Sequence, residues 1–273
     1  MNYLDSVVLG IVEGLTEFLP VSSTGHLTIA EKALGLPIDA DSVTAYTAVI
    51  QMGAIAAVFV YFFGDIRGIV AGWFKGLLKP EYRGTLDHRM GWYAIVGTIP
   101  IGIVGLLAKD LVSGPLRSLW WVAGALIVWS AAMLYAERVG RQTRGEKQLR
   151  MVDAVVIGVV QCIALIPGVS RSGATISAGL TLGLDRVTAT RLSFFLSIPA
   201  LTAAGLYELK DVHGISAGPV IVGTLVSFVV AYASVAWLLR FVSHHSIGRF
   251  VPYRVLLGLV LVALLASNVV QPT

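Results

Sequence analysis

Charge is scarce in this 273-residue chain: Asp, Glu, Lys and Arg make up 13% of it, against 56% hydrophobic residues and a mean hydropathy of +0.80. A soluble domain carries about a quarter charged residues. A chain with half that share cannot cover a water-facing surface, which excludes an ordinary soluble enzyme. Cysteine is almost absent. Cys162 stands alone in an apolar run, so no intramolecular disulfide can form, and a small, buried side chain is expected there. A cleavable signal peptide is not expected either: the first apolar stretch has no basic leader and contains Asp5, Glu13 and Glu17. The net charge of +4 and pI near 9.3 would suit nucleic acid, but the basic residues are placed for a membrane.

What the chain has in quantity is apolar length. Six segments, roughly 44–63, 91–108, 119–136, 188–207, 218–239 and 253–270, approach or exceed the 20 or so residues that cross a bilayer. Two further segments are interrupted. Residues 5–35 hold Glu13, Glu17, Pro20 and the run Ser22 to His26; residues 152–184 hold Gln161, Pro167, Gly168, Ser170, Arg171, Ser172 and Thr175. The arms beside each polar centre, at about 1.5 Å per residue, reach about 20 Å, too short for a core of about 30 Å. Each segment is therefore expected to be a re-entrant helix–turn–helix, its irregular backbone sheltered by protein. The expected fold is all-α and polytopic: six transmembrane helices plus two re-entrant hairpins.

Lys and Arg set the orientation. Successive inter-span loops carry Arg67, Lys75, Lys79, Arg83 and Arg89; Lys109 and Arg117; Arg138, Arg141, Arg144, Lys147 and Arg150; Lys210 alone; and Arg240, Arg249 and Arg254. The counts alternate, which places the basic loops in the cytoplasm and both termini outside. These residues read as solvated loop ends, so no nucleic-acid partner is expected. Trp73, Trp92, Trp120, Trp121 and Tyr253 fall near span ends as interfacial anchors, and His88, His213, His244 and His245 read as surface residues.

A shift of 148 residues superposes the two interrupted segments. Asp5, Val7, Val8, Gly10, Val12, Ser22 and Gly25 fall on identical residues at 153, 155, 156, 158, 160, 170 and 173. Each half (1–137 and 151–273) is one hairpin plus three spans. Three is odd, so the second copy is inverted in the membrane. Such repeats place a site where their broken helices meet. The differences carry the chemistry: Ser23 falls opposite Arg171, and Glu17 opposite Leu165.

Glu13 and Glu17 share a helix face, and a buried carboxylate pair calls for a metal, a cation or a shared proton. Ser22, Ser23 and Thr24 can cap the second helix, whose N-terminus suits an anion. Ser170, Ser172 and Thr175 repeat that design and add the Arg171 guanidinium, a fork matched to phosphate oxygens or to a glutamate. Plain capping explains Ser22 and Ser172 equally well. His26 in the first turn could relay a proton. Gln51 lines the pocket or bonds a neighbouring helix. Together these residues suit phosphate or diphosphate chemistry, with a serine positioned to attack phosphorus.

Glu13-Gly-Leu-Thr-Glu17 followed by Phe-Leu-Pro-Val-Ser-Ser-Thr-Gly-His26, and Pro167-Gly-Val-Ser-Arg-Ser-Gly-Ala-Thr175, resemble the two signatures of the bacterial undecaprenyl-diphosphate phosphatases, the bacitracin-resistance family. The resemblance covers nearly the whole chain. It implies hydrolysis of undecaprenyl diphosphate to undecaprenyl phosphate and phosphate, which recycles the lipid carrier of wall synthesis. It also implies bacitracin resistance, since that drug binds the lipid diphosphate. Further implications are a divalent cation (Mg²⁺ or Ca²⁺) at Glu13 and Glu17, a homodimer, and a pocket open to the outer face of the cytoplasmic (inner) membrane. On that reading Ser23 is the nucleophile, with a metal-activated water as its rival. His26 is the general acid or base, and Arg171 is the phosphoryl clamp, helped by Ser22, Thr24, Ser170, Ser172, Thr175 and Gln51. The alternative is a transporter or flippase for a polyprenyl phosphate lipid, because inverted repeats are common in transporters.

Overall fold

Long apolar runs leave the backbone one open-ended way to satisfy itself in lipid, the α-helix. The computed structural model, which describes residues 1–38, 41–208 and 216–272, adopts it throughout; among these residues the only β contact is an isolated bridge between Arg144 and Leu184. The helices are α1 (Tyr3–Thr16), α2 (Ser23–Ala33), α3 (Asp41–Tyr61), α4 (Phe63–Leu78), α5 (Leu86–Leu107), α6 (Lys109–Ser113), α7 (Leu119–Val139), α8 (Met151–Gln161), α9 (Arg171–Thr181), α10 (Arg186–Glu208), α11 (Ala217–His244) and α12 (Val251–Ala266). Six helical stretches are long and apolar enough to cross a membrane: Ser42–Tyr61, Leu86–Leu107, Leu119–Val139, Arg186–Tyr207, Ala217–His244 and Ile247–Ala266. These match the six expected spans, and the chain is a multi-pass membrane protein. Its outer faces are apolar, with Ile99, Ile103 and Leu106 exposed on α5, Ile221, Leu225 and Val229 on α11, and Leu256, Leu259 and Val260 on α12. Lys210 and His213 lie outside the described residues.

Both interrupted segments are helical hairpins. The arms α1 and α2 have 14 and 11 residues and α8 and α9 have 11 each, none long enough to span. The shift of 148 residues is visible in the local construction. Asp5 accepts from the Asn2 N–H (2.9 Å), and Asp153 from the Arg150 N–H (2.8 Å), so each first arm starts with an acidic cap. Gly10 lets α1 approach α11: a Cβ there would lie 2.6 Å from the Gly223 carbonyl oxygen. Gly158 does the same for α8 against α5, where a Cβ would lie 2.3 Å from the Gly97 oxygen. Ser22 and Ser170 cap the second arms with φ of 80° and 76°.

Three expectations need correction. Residues 63–78 form a helix, not a loop. Phe62 breaks the chain after α3, and Gly72 and Gly76 press α4 onto α5, with Cβ positions that would fall 2.5 Å from Asp87 Cβ and 2.0 Å from His88 Nδ1. Alternating glycines and charges had hidden its period. His88 is consequently buried rather than on the surface, its Nδ1–H donating to the Trp73 carbonyl at 3.2 Å. Arg254 is no loop cation either: it sits in α12, fully buried. Cys162 is half-buried and unpaired in a disulfide.

Candidate active site

The two hairpin turns meet in the interior. Ser22 is held in a left-handed conformation that L-residues rarely adopt, and its hydroxyl offsets the cost. Ser22 Oγ accepts from Gly25 N in its own helix (3.3 Å) and from Gly168 N in the other turn (3.1 Å). Gly168, at φ 99°, has no room for a side chain, since a Cβ would fall 2.5 Å from the Val122 oxygen. In return Ser172 Oγ donates to the Leu19 carbonyl of the first turn (2.9 Å), with Ser170 Oγ at 3.5 Å from the same oxygen. Helices α2 and α9 thus begin side by side, their positive dipole ends at one place.

Glu17 is the centre of the polar contacts. It stands one residue beyond α1, only 5% exposed. Its Oε2 accepts from Ser23 Oγ at 2.5 Å and from Gln51 Nε2 at 3.1 Å; its Oε1 accepts from Arg171 Nη2 at 2.9 Å. A buried pair of this kind holds only when both partners stay: losing one leaves a buried charge at a cost of about 3–5 kcal/mol. Around Glu17, two sets of buried atoms lack hydrogen-bond partners. They are both carboxylate oxygens of Glu13, and Nε and Nη1 of Arg171. Beside them lies a cavity of about 130 Å³ lined by Glu17, Ser22, Ser23, Thr24, Gln51, Ser170 and Arg171, and by Ile101, Ala164, Leu165 and Leu201 on its apolar side. A larger hollow of about 360 Å³ between α4 and α5 is lined by Asp65, Asp87, Glu146 and Arg191. There Arg191 is already paired with Asp65 at 2.8 Å, and no Ser, Thr, Cys or His lines the hollow.

A sequence model of the bacitracin resistance protein BacA family matches residues 6–260. The chain belongs to this family. It is 56% identical over 274 residues to the undecaprenyl-diphosphatase of Acidothermus cellulolyticus, covering 99% of each chain. It is 59% identical over 269 residues to undecaprenyl-diphosphatase 1 of Streptomyces coelicolor, covering 97% of each, and 56% identical over 269 residues to undecaprenyl-diphosphatase 1 of Frankia alni at the same coverage.

In this BacA-family chain the residues singled out from the sequence separate into two groups. Glu17, Ser22, Ser23, Thr24, Gln51, Ser170 and Arg171 surround one cavity, with Glu13 buried beside Glu17. Ser172, Thr175 and His26 do not line it. Ser172 staples the turns. Thr175 Oγ1 is spent on the Arg171 carbonyl (2.9 Å) and Ser193 Oγ (2.7 Å). The His26 ring donates from Nδ1 to the Ser22 carbonyl (2.7 Å) and accepts at Nε2 from the Tyr253 hydroxyl (2.6 Å), against whose ring it stacks. Ser23 therefore has Glu17, not His26, as its hydrogen-bond partner. Sequence reasoning missed Tyr253, read as a lipid anchor, and Arg254, read as a loop cation. The available signal was an arginine inside a stretch that remains apolar to residue 266.

The residues fit a divalent cation by the observation of Glu13. Its two oxygens are buried, unpartnered and next to a second carboxylate. Among the described residues no third His, Cys, Asp or Glu joins them. That is the donor set of an ion that shares its shell between one or two carboxylates and substrate phosphates.

Proposed function

We propose that the chain is an undecaprenyl-diphosphate phosphatase: it hydrolyses undecaprenyl diphosphate to undecaprenyl phosphate and phosphate, recycles the lipid carrier for wall synthesis, and so confers bacitracin resistance. One observation carries this reading. A serine hydroxyl, a carboxylate placed to take its proton, and an arginine with two unsatisfied donors converge on a cavity at two helix N-termini.

The terminal phosphate of the lipid enters the cavity and meets Arg171 Nε and Nη1 and the starts of α2 and α9. Ser23 Oγ attacks the terminal phosphorus as its proton passes to Glu17 Oε2. The bond to the bridging oxygen breaks, and its electron pair leaves with undecaprenyl phosphate. Glu17 passes the Ser23 proton to the departing undecaprenyl phosphate. A water then gives a proton to Glu17 as it attacks the phosphoserine, and Ser23 Oγ leaves with the proton returned by Glu17, freeing phosphate. Gln51 and Arg171 hold the Glu17 carboxylate in place for each of these transfers. Arg171 stabilises the charge that develops on the phosphoryl oxygens, a contribution of about 3 kcal/mol. Glu13 and Glu17 would hold Mg²⁺ or Ca²⁺, which when bound neutralises diphosphate charge. His26, gripped by Ser22 and Tyr253, orients the first turn. The Lys and Arg pattern supports a site facing the outer side of the inner membrane with both termini outside, and family membership supports a homodimer.

Purified protein in detergent should release phosphate from a long-chain prenyl diphosphate, and EDTA, Glu17→Ala and Arg171→Ala should each abolish it. Labelled terminal phosphate should be trapped on the wild-type protein and not on Ser23→Ala. Full activity in Ser23→Ala would replace the serine with a water nucleophile. No release with Mg²⁺ or Ca²⁺ supplied would make lipid transport the better reading.

A further inference from the structure

Among the described residues, the largest fully buried side chain is an arginine inside the final span. Arg254 is 0% exposed, one turn into α12, and makes none of the ion pairs found among the described residues. A cation at membrane depth is costly and is kept where it has a task. Here all its bonds go to uncharged oxygens. Nη1 donates to the Pro20 carbonyl (3.0 Å), Nη2 to the carbonyls of Gly168 (2.9 Å) and Val169 (3.1 Å), and Nε to Ser130 Oγ (3.1 Å).

These three carbonyls lie at the breaks of the two hairpins, where the helical ladder supplies no donor. Pro20 lies three residues before Ser23, and Val169 two before Arg171. Ser23 and Arg171 in turn approach opposite oxygens of Glu17. A planar guanidinium can reach both backbones at once, whereas a lysine ammonium offers one centre. We infer that Arg254 is a positioning residue for the reaction, clamping the two turns so that the Ser23 hydroxyl and the Arg171 guanidinium address the same phosphoryl group. The inference rests on the phosphatase reading above. The turns are also joined by the Ser22–Gly168 and Ser172–Leu19 bonds, so replacing Arg254 loosens their alignment without separating them.

The test uses wild type, Arg254→Lys and Ser130→Ala in detergent, with thermal unfolding beside kcat and KM on a long-chain prenyl diphosphate. Arg254→Lys should fold, with kcat down about 10²-fold, the cost of roughly ångström-scale misplacement, and KM within about threefold of wild type. Ser130→Ala, which releases only Nε, should lower kcat several-fold in the same sense. Wild-type kcat in folded Arg254→Lys overturns the proposal, as does a change confined to KM, which would mean that the charge acts on the substrate directly. Should Arg254→Lys fail to fold, wild-type kcat in Ser130→Ala overturns it. Wild-type protein that releases no phosphate overturns the phosphatase reading, and this inference with it.

Discussion

At the scale of single residues, the site is a contest for one carboxylate. Glu17 accepts from Ser23, Gln51 and Arg171, so Arg171 has two tasks: neutralising Glu17 and offering its remaining donors to phosphate. Lysine could perform the first but not the second. Arg171→Lys should therefore yield folded protein with kcat/KM reduced about 10²-fold, roughly the loss of one preorganised donor set. Steady-state kinetics beside an unfolding curve would show it, and near-wild-type kcat/KM would mean that Arg171 serves only as the counter-ion of Glu17. Glu13, Glu17, Ser23 and Arg171 were legible in the sequence because polar residues are expensive in an apolar run and so stand out. Their partners were not. The spacing of Ser23 and His26 suggested a pair, but a helix start turns the His26 ring back onto Ser22, while the chain reversal at Pro20 brings Ser23 onto Glu17.

At the scale of elements, the hairpins dock through close glycine contacts as well as through buried side chains such as Leu9, Phe18 and Ile157. Bilayer lipid is as apolar as leucine, so helices gain chiefly from close approach. Gly10 and Gly158 provide it at equivalent places in the two segments. Gly10→Ala or Gly158→Ala must push α1 from α11, or α8 from α5, and should cost about 1–3 kcal/mol of stability, the usual penalty of overpacking. Gly124, in α7, has no atom within 4 Å of its Cβ position, so Gly124→Ala should be neutral or stabilising by up to about 1 kcal/mol. Thermal unfolding in one detergent compares all three; equal midpoints would show that the close contacts do not bear on stability. The spans and hairpins were legible because length and polarity define them. Helix α4 was not, because glycines that serve packing look, in sequence, like the glycines of a loop.

At the scale of the whole molecule, the question is which way the bundle faces. The basic residues set an expectation from the sequence, yet two of those counted have other duties: Arg254 bonds the turns, and Arg144 pairs with Asp153 at 2.5 Å. The remaining cations, including Arg67, Lys75, Lys79, Arg138 and Arg141, still favour the side opposite the termini. Exposed positions allow a direct test in a Cys162→Ala background. Gln271→Cys near the C-terminus, and Thr24→Cys at the cavity mouth, should react with a membrane-impermeant maleimide in intact cells. Arg141→Cys in the basic loop should react only after permeabilisation. The opposite pattern at Gln271 and Arg141 would place the termini inside. Labelling at Gln271 without labelling at Thr24 would keep the orientation but close the cavity to the outside, and a lipid diphosphate would then have to reach Ser23 from within the bilayer or from the cytoplasm.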